Sequence, residues 1–129
     1  MSKPHISEEL KTFIKDKIQT VLRLEVLLLL HDQQFRSFTA DEIAKEMGFG
    51  TEATQRELTA LEAIGLVAQS SVDESKYKYQ PANETLGSTV ERLATAYSTQ
   101  RVPILSVILA QTSDRPRLFA EAFRIIRRE

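Results

Sequence analysis

A change in hydrophobic period at Gly65 constrains the fold of this chain more than any other feature of its sequence. Before this glycine, apolar residues recur at helical spacing, at Leu58, Leu61 and Ile64. After it, residues 66–72 alternate as in a β-strand, and a turn-like segment at 73–75 leads to a second alternating run through residue 80. This pattern predicts a helix followed directly by a β-hairpin, which Pro81 closes.

The residues before this helix predict a second, shorter helix joined to it by a glycine turn. Thr39 and Glu42 have the spacing of a capping box, and Phe38 is placed to pack on Ile43. Gly48 is expected to end the short helix in the left-handed conformation. Thr51 is then predicted to be the N-cap of the second helix, which runs to about residue 64.

The sequence also predicts helix in the N-terminal third, over residues 7–30. The acidic residues after Ser7 suit a first helical turn, and a stripe follows at Leu10, Phe13, Ile14 and Ile18. Helical character is expected to continue into residues 20–30, where apolar residues occur all round. A helix of that kind is buried on most sides.

The C-terminal third predicts helices with an apolar seam. Leu86, Val90, Leu93 and Tyr97 repeat at four-three-four spacing, and Ile104 and Ile108 extend the seam. Pro103 should break the helix near residues 100–102. A final short helix is expected from Pro116, with Phe119, Ala122, Phe123 and Ile126 on one face.

These elements together predict a mainly α fold with a small β-hairpin wing, that is, a winged helix-turn-helix plus C-terminal helices. The winged domain with its N-terminal helix is expected to span residues 1–81, and the C-terminal helical region residues 82–129. The chain of 129 residues has only four glycines and four prolines, too few for the many turns of an all-β protein.

Two segments carry a resemblance to a known family. The run Thr-Ala-Asp-Glu-Ile-Ala-Lys-Glu-Met-Gly from Thr39, and the run Arg-Glu-Leu-Thr-Ala-Leu-Glu-Ala-Ile-Gly-Leu-Val from Arg56, resemble winged-helix bacterial transcriptional regulators of the MarR-like group. The resemblance covers roughly residues 20–81. The sequence from Tyr97 onward is similar to the tail of small uncharacterised bacterial winged-helix proteins. The resemblance implies a sequence-specific transcriptional regulator that binds double-stranded DNA, with the second helix in the major groove and the hairpin on the backbone.

The resemblance also implies a DNA footprint of six residues: Thr51, Gln55, Arg56, Thr59, Lys76 and Lys78. Gln55 is the expected reader of adenine, whereas Arg56 would read guanine or hold a phosphate. The two wing lysines would contact backbone phosphates. Tyr77 and Tyr79 have two interpretations, of which covering the helix-facing side of the sheet is favoured over stacking on unpaired bases.

The charge distribution keeps a second function open. The net charge is −1, and residues 1–64 hold 8 basic against 11 acidic side chains. Three glutamates, Glu52, Glu57 and Glu62, lie on the expected recognition helix, and Asp73 and Glu74 occupy the tip of the wing. Because carboxylates repel phosphates, the alternative is a winged-helix protein-interaction or adaptor module that does not bind DNA.

The C-terminal seam predicts a homodimer. A dimer is expected because its two-fold symmetry would match palindromic half-sites in DNA. The expected interface consists of the apolar residues Leu86, Val90, Leu93, Tyr97, Phe119 and Phe123. The alternative is that these helices fold back on the winged domain as extra core. The C-terminal arginines are interpreted as a solvated face rather than a phosphate-binding or partner-binding one.

Several classes of function lack support in the sequence. There is no Ser/His/Asp or Cys/His set and no phosphate-cradling glycine loop, so no catalytic residue or cofactor is expected and the chain is not predicted to be an enzyme. No metal site is expected: the chain has no cysteine, and His5 and His31 are interpreted as solvated or capping residues. Without a long apolar segment or an export signal, the protein is expected to be cytoplasmic and not membrane-bound.

Overall fold

The computed structural model of the protein describes residues 6–113, with side chains as far as residue 110. In these residues the fold is mainly helical with a small antiparallel sheet, which confirms the predicted mixture of elements. The helices are α1 (Glu8–Phe13), α2 (Val21–Asp32), α3 (Ala40–Met47), α4 (Thr51–Ile64), α5 (Glu84–Thr99) and α6 (Arg101–Ser113). The strands are β1 (Phe38–Thr39), β2 (Val67–Gln69) and β3 (Lys76–Tyr79). No helix in the described part is both long and apolar enough to cross a membrane.

The N-terminal region does not form the continuous helix that its sequence predicts. α1 passes into a π-helical turn, Ile14–Ile18, and the chain then breaks at Gln19, whose φ is +68°. Thr20 begins α2 as its N-cap, where its hydroxyl accepts a hydrogen bond from the amide of Arg23. Ile14 and Ile18 of the π-helical turn are fully buried. The break at Gln19 then separates this turn from α2.

Helix α2 is the centre of the core, as its apolar sequence predicts. Leu24, Leu27 and Leu30 are fully buried. Two charged residues of this helix connect it to its neighbours. The Arg23 guanidinium donates to Glu57 of α4 at 2.7 Å, and Glu25 accepts a 2.9 Å hydrogen bond from the Tyr97 hydroxyl of α5. Charged residues inside this apolar helix therefore join α2 to α4 and α5.

The turn between α3 and α4 follows the sequence signals closely, with one exception. Thr39 and Glu42 form both hydrogen bonds of the capping box, at 3.0 and 2.9 Å. Gly48 and Gly65 end the two helices with φ of +78° and +96°. The exception is the N-cap of α4, which is Gly50 rather than Thr51. Thr51 is the first helical residue, and its hydroxyl donates to Asp41 of α3 at 3.1 Å.

The sheet contains a strand that the sequence analysis did not predict. Its order is β1-β3-β2: Phe38 pairs with Tyr77, and Val67 pairs with Tyr79. Tyr77 and Tyr79 are both buried, which confirms that they cover the helix-facing side of the sheet. The strand before α3 is thus tied to the hairpin after α4.

Helices α5 and α6 share the core of the preceding elements. Val90, Leu93, Ile104 and Ile108 belong to the same buried cluster as the leucines of α2 and α4. His31 of α2 contacts Glu91 of α5 at 3.0 Å and is not a solvated residue. The predicted break before Pro103 is confirmed, since α5 ends at Thr99 and α6 begins at Arg101.

The position of α5 bears on the expected dimer interface. Val90 and Leu93 are fully buried within the single chain, while Leu86 and Tyr97 are half-buried against its core. The seam therefore packs on the chain's own helices, as the fold-back alternative expects, and the homodimer stays a prediction. Phe119, Phe123 and the short helix expected from Pro116 lie outside the described residues.

Candidate nucleic-acid interface

The outward face of α4 is formed by its exposed residues, which are Thr51, Glu52, Arg56, Thr59, Glu62 and Ala63. The opposite side of the helix packs on the core through Thr54, Leu58 and Leu61. Because α4 begins with Gly50 as its N-cap, no side chain caps its first amide groups. The helix thus presents a polar face to solvent, and the carboxylates of Asp41 and Glu52 lie at its first turn.

Arg56 is the free cation of this face. Among the described residues no carboxylate lies within ion-pair distance of it, whereas Arg23 and Lys45 pair with Glu57 and Asp41. Glu52, one turn before Arg56, does not pair with it either. Arg56 is therefore available to an external anion or hydrogen-bond acceptor.

The other three predicted residues of α4 have side chains engaged within the protein. The Thr51 hydroxyl donates to Asp41, and the Thr59 hydroxyl donates to the backbone carbonyl of Gln55 at 3.0 Å. The Gln55 amide nitrogen lies 3.0 Å from the Tyr77 hydroxyl and 3.4 Å from the Thr59 hydroxyl. A bidentate contact to adenine requires both ends of the amide, so the expected role of Gln55 does not fit this geometry.

Lys76 and Lys78 do not join Arg56 on a common face. Alternate residues of a strand point to opposite sides of the sheet, and the two tyrosines of β3 point toward the helices, where Tyr77 contacts Gln55. The lysines therefore lie on what we call the outer sheet face, made by Thr39, Ala68, Lys76 and Lys78. The six predicted residues divide into four on α4 and two on the outer sheet face.

The outer sheet face has exposed apolar neighbours that the sequence analysis did not single out. Phe35, in the loop after α2, is 98% exposed, and Val72 in the wing is 93% exposed. Both line a groove of mixed charge with Arg36, Lys76, Glu42 and Asp73. Phe35 also borders a second groove, whose charged residues are Lys78, Glu84 and Glu91. Phe35 follows the polar residues Asp32, Gln33 and Gln34 and belongs to no periodic apolar stripe. The sequence therefore gave no signal that its side chain is exposed.

The tip of the wing is anionic. Asp73 accepts hydrogen bonds from the Ser75 hydroxyl at 2.6 Å and the Ser75 amide at 3.0 Å. These bonds, with a smaller contribution from Lys76, hold the pKa of the Asp73 carboxyl below its usual value. The tip therefore repels phosphate at neutral pH, and any backbone contact by the wing must avoid it.

Within the described residues there is no group of three His, Cys, Asp or Glu side chains that could hold a metal ion. Comparisons with known proteins add no assignment: no protein-family model, curated protein or solved structure matches this chain.

Proposed function

We propose that this protein is a winged-helix DNA-binding protein that places α4 in the major groove, in the role of a bacterial transcriptional regulator. The order of elements supports the proposal. A helix, a short strand, two helices joined at Gly48 and a hairpin follow one another, and β1 pairs with the hairpin strand β3. In a winged helix this order braces the second helix of the pair and leaves its outer face to the groove.

The observation that carries the proposal is the exposed, unpaired Arg56 at the middle of the outward face of α4. A guanidinium in this position reaches either a guanine edge or a phosphate without first breaking an ion pair. The nearby Glu57 does not oppose it, because Glu57 is neutralised by Arg23 on the other side of the helix.

Glu52 limits this function rather than serving it. It is exposed on the same face one helical turn before Arg56, and its carboxylate faces the phosphates that flank the groove. Removal of this charge should therefore strengthen binding to any DNA sequence, since fewer repulsive contacts oppose counterion release.

The proposal is tested by selection of genomic DNA fragments on the purified full-length protein at two salt concentrations. A regulator should enrich a defined set of fragments, and retention should fall as salt rises because each phosphate contact releases about one counterion. Equal retention at both salts, or no enrichment of any sequence, would contradict the proposal.

A second candidate function is a module that binds another protein beside the outer sheet face. The specific observation in its favour is that Phe35 and Val72, both almost fully exposed, line one groove. The groove also holds two cations, Arg36 and Lys76, and two carboxylates, Glu42 and Asp73. An exposed aromatic side chain is a suitable anchor for a protein partner. Phe35→Ala separates the two functions, because it should abolish binding of the partner protein and leave DNA affinity within about twofold.

A further inference from the structure

The side-chain amide of Gln55 is held by two contacts on its nitrogen. Its Nε2 atom lies 3.0 Å from the Tyr77 Oη atom and 3.4 Å from the Thr59 Oγ1 atom. Tyr77 is buried on β3, while Gln55 is half-buried on the side of α4 that faces the hairpin. The two residues thus join the candidate recognition helix to the wing.

Proton accounting fixes which end of the Gln55 amide faces these partners. The Thr59 hydroxyl has one proton, and it donates that proton to the backbone carbonyl of Gln55 at 3.0 Å. The Thr59 oxygen is then only an acceptor for the Gln55 side chain. The amide atom that faces it must therefore be the nitrogen.

The Tyr77 oxygen accepts from a second side-chain amide, that of Gln69. The Gln69 amide nitrogen donates to the Glu74 backbone carbonyl at 3.0 Å, a group that only accepts, and lies 3.4 Å from the Tyr77 oxygen. Two amide nitrogens, from Gln55 and Gln69, therefore converge on one phenol oxygen. This chain of contacts runs from Thr59 on α4 to the backbone of the wing tip.

We infer that Tyr77 is a specificity-determining positioning residue, because it and Thr59 together accept both protons of the Gln55 amide nitrogen and leave only the Oε1 atom free to contact a base. This inference rests on the proposed DNA-binding function. A lone acceptor in the major groove pairs with an exocyclic amino group, which adenine carries at N6 and cytosine at N4. Gln55 thus selects an amino base, adenine or cytosine, over a keto base, guanine or thymine, at one position of the site.

The experiment is selection of binding sites from a randomised duplex library with the wild-type protein and three variants. The wild-type protein should accept adenine and cytosine about equally at one position and prefer them about fivefold over guanine and thymine, the effect of one hydrogen bond. Gln55→Ala should accept all four bases there. Tyr77→Phe keeps the buried ring but frees one proton of the amide nitrogen, so it should narrow the preference to adenine alone through a bidentate contact.

Tyr79→Phe is the matched control. It changes the other buried tyrosine of β3, whose hydroxyl has no hydrogen-bond partner among the described residues, and it should leave the wild-type preference unchanged. A change in stability alone does not alter base preference at a single position, so the readout separates positioning from a structural role. Circular dichroism of each variant confirms that it is folded.

The outcomes distinguish this inference from the function on which it rests. Binding with the same base preferences in wild type and Tyr77→Phe overturns the inference and leaves DNA binding in place. A wild-type preference for adenine alone overturns it in the same way. The absence of any selected sequence overturns the proposed function and the inference together.

Discussion

Arg23 of α2 and Glu57 of α4 form an ion pair in which the Nε atom lies 2.7 Å from the carboxylate Oε1 atom and each side chain is only 16% exposed. The same guanidinium donates to the backbone carbonyl of Lys17 at 2.9 Å. One side chain thus joins the π-helical turn, α2 and the candidate recognition helix. This contact fixes the orientation of α4 from the side opposite the wing.

Truncation of this pair should destabilise the fold. Arg23→Ala leaves the Glu57 carboxylate partly buried without its partner, and we expect a loss of about 2 kcal/mol in the free energy of unfolding. Urea denaturation measures the change. Lys45→Ala is the matched control, since the ion pair of Lys45 with Asp41 is exposed and its loss should cost less than about 0.5 kcal/mol. Equal effects of the two substitutions would contradict the structural role of Arg23.

Tyr79→Phe should stabilise the protein. The Tyr79 hydroxyl is buried and has no hydrogen-bond partner among the described residues, so its removal should add about 1 kcal/mol to the free energy of unfolding at pH 7. Tyr77→Phe provides the contrast, because the Tyr77 hydroxyl accepts hydrogen bonds and its loss should cost about 1 kcal/mol. A stabilised Tyr77→Phe or a destabilised Tyr79→Phe contradicts the hydrogen-bond assignment.

The buried hydroxyl of Tyr79 should also make the free energy of unfolding depend on pH in the alkaline range. Burial, with a smaller contribution from the Glu91 charge, raises the pKa of Tyr79 to about 12 from its usual value of 10.0. The unfolded chain loses the Tyr79 proton at a lower pH than the folded protein does. The contribution of Tyr79 to the free energy of unfolding is therefore constant below pH 10, and it falls as the pH rises toward 12. Thermal unfolding across this range should show a smaller loss in Tyr79→Phe than in the wild-type protein, and equal losses would exclude Tyr79 as the cause.

Gly65→Ala should be more destabilising than Gly48→Ala. Both glycines have positive φ, but a methyl group at Gly65 lies 3.2 Å from the Ala82 Cβ atom, whereas one at Gly48 meets nothing within 4 Å. We expect losses of about 2 to 3 kcal/mol at Gly65 and about 1 kcal/mol at Gly48, measured by urea denaturation. A larger loss of stability in Gly48→Ala than in Gly65→Ala would contradict the close approach of Gly65 to Ala82.

Leu93→Ala tests whether the seam of α5 packs within the chain. Leu93 is fully buried, and its truncation should cost about 3 kcal/mol in the free energy of unfolding. If the seam is internal, this loss is the same at low and high protein concentration. A loss that grows as the protein is diluted is the signature of an interface between copies and would restore the dimer expected from sequence.

Local signals in the sequence were sufficient for most elements of the fold. The capping box at Thr39, the two helix-ending glycines and the change of period at Gly65 each act through neighbouring residues, and the structure contains all of them. Strand β1 escaped prediction because it is two residues long and depends on pairing with the distant β3. The break at Gln19 was missed because the apolar stripe continues across it.

The candidate site was less predictable because it depends on contacts between distant residues. Arg56 was correctly expected to be exposed, but the sequence did not reveal that Gln55 shares hydrogen bonds with Tyr77, 22 positions away. The placement of Lys76 and Lys78 was available from the sequence. If the tyrosines of β3 cover the helix-facing side, the alternating lysines must point away from α4.

The most direct test of DNA binding by α4 is the affinity of the protein for a selected duplex after two substitutions of opposite charge on its outward face. Arg56→Ala should weaken binding about tenfold or more, and Glu52→Gln should strengthen it, with both measured by fluorescence anisotropy at two salt concentrations. An affinity unchanged by Arg56→Ala, or weakened by Glu52→Gln, would contradict the placement of this face in the major groove.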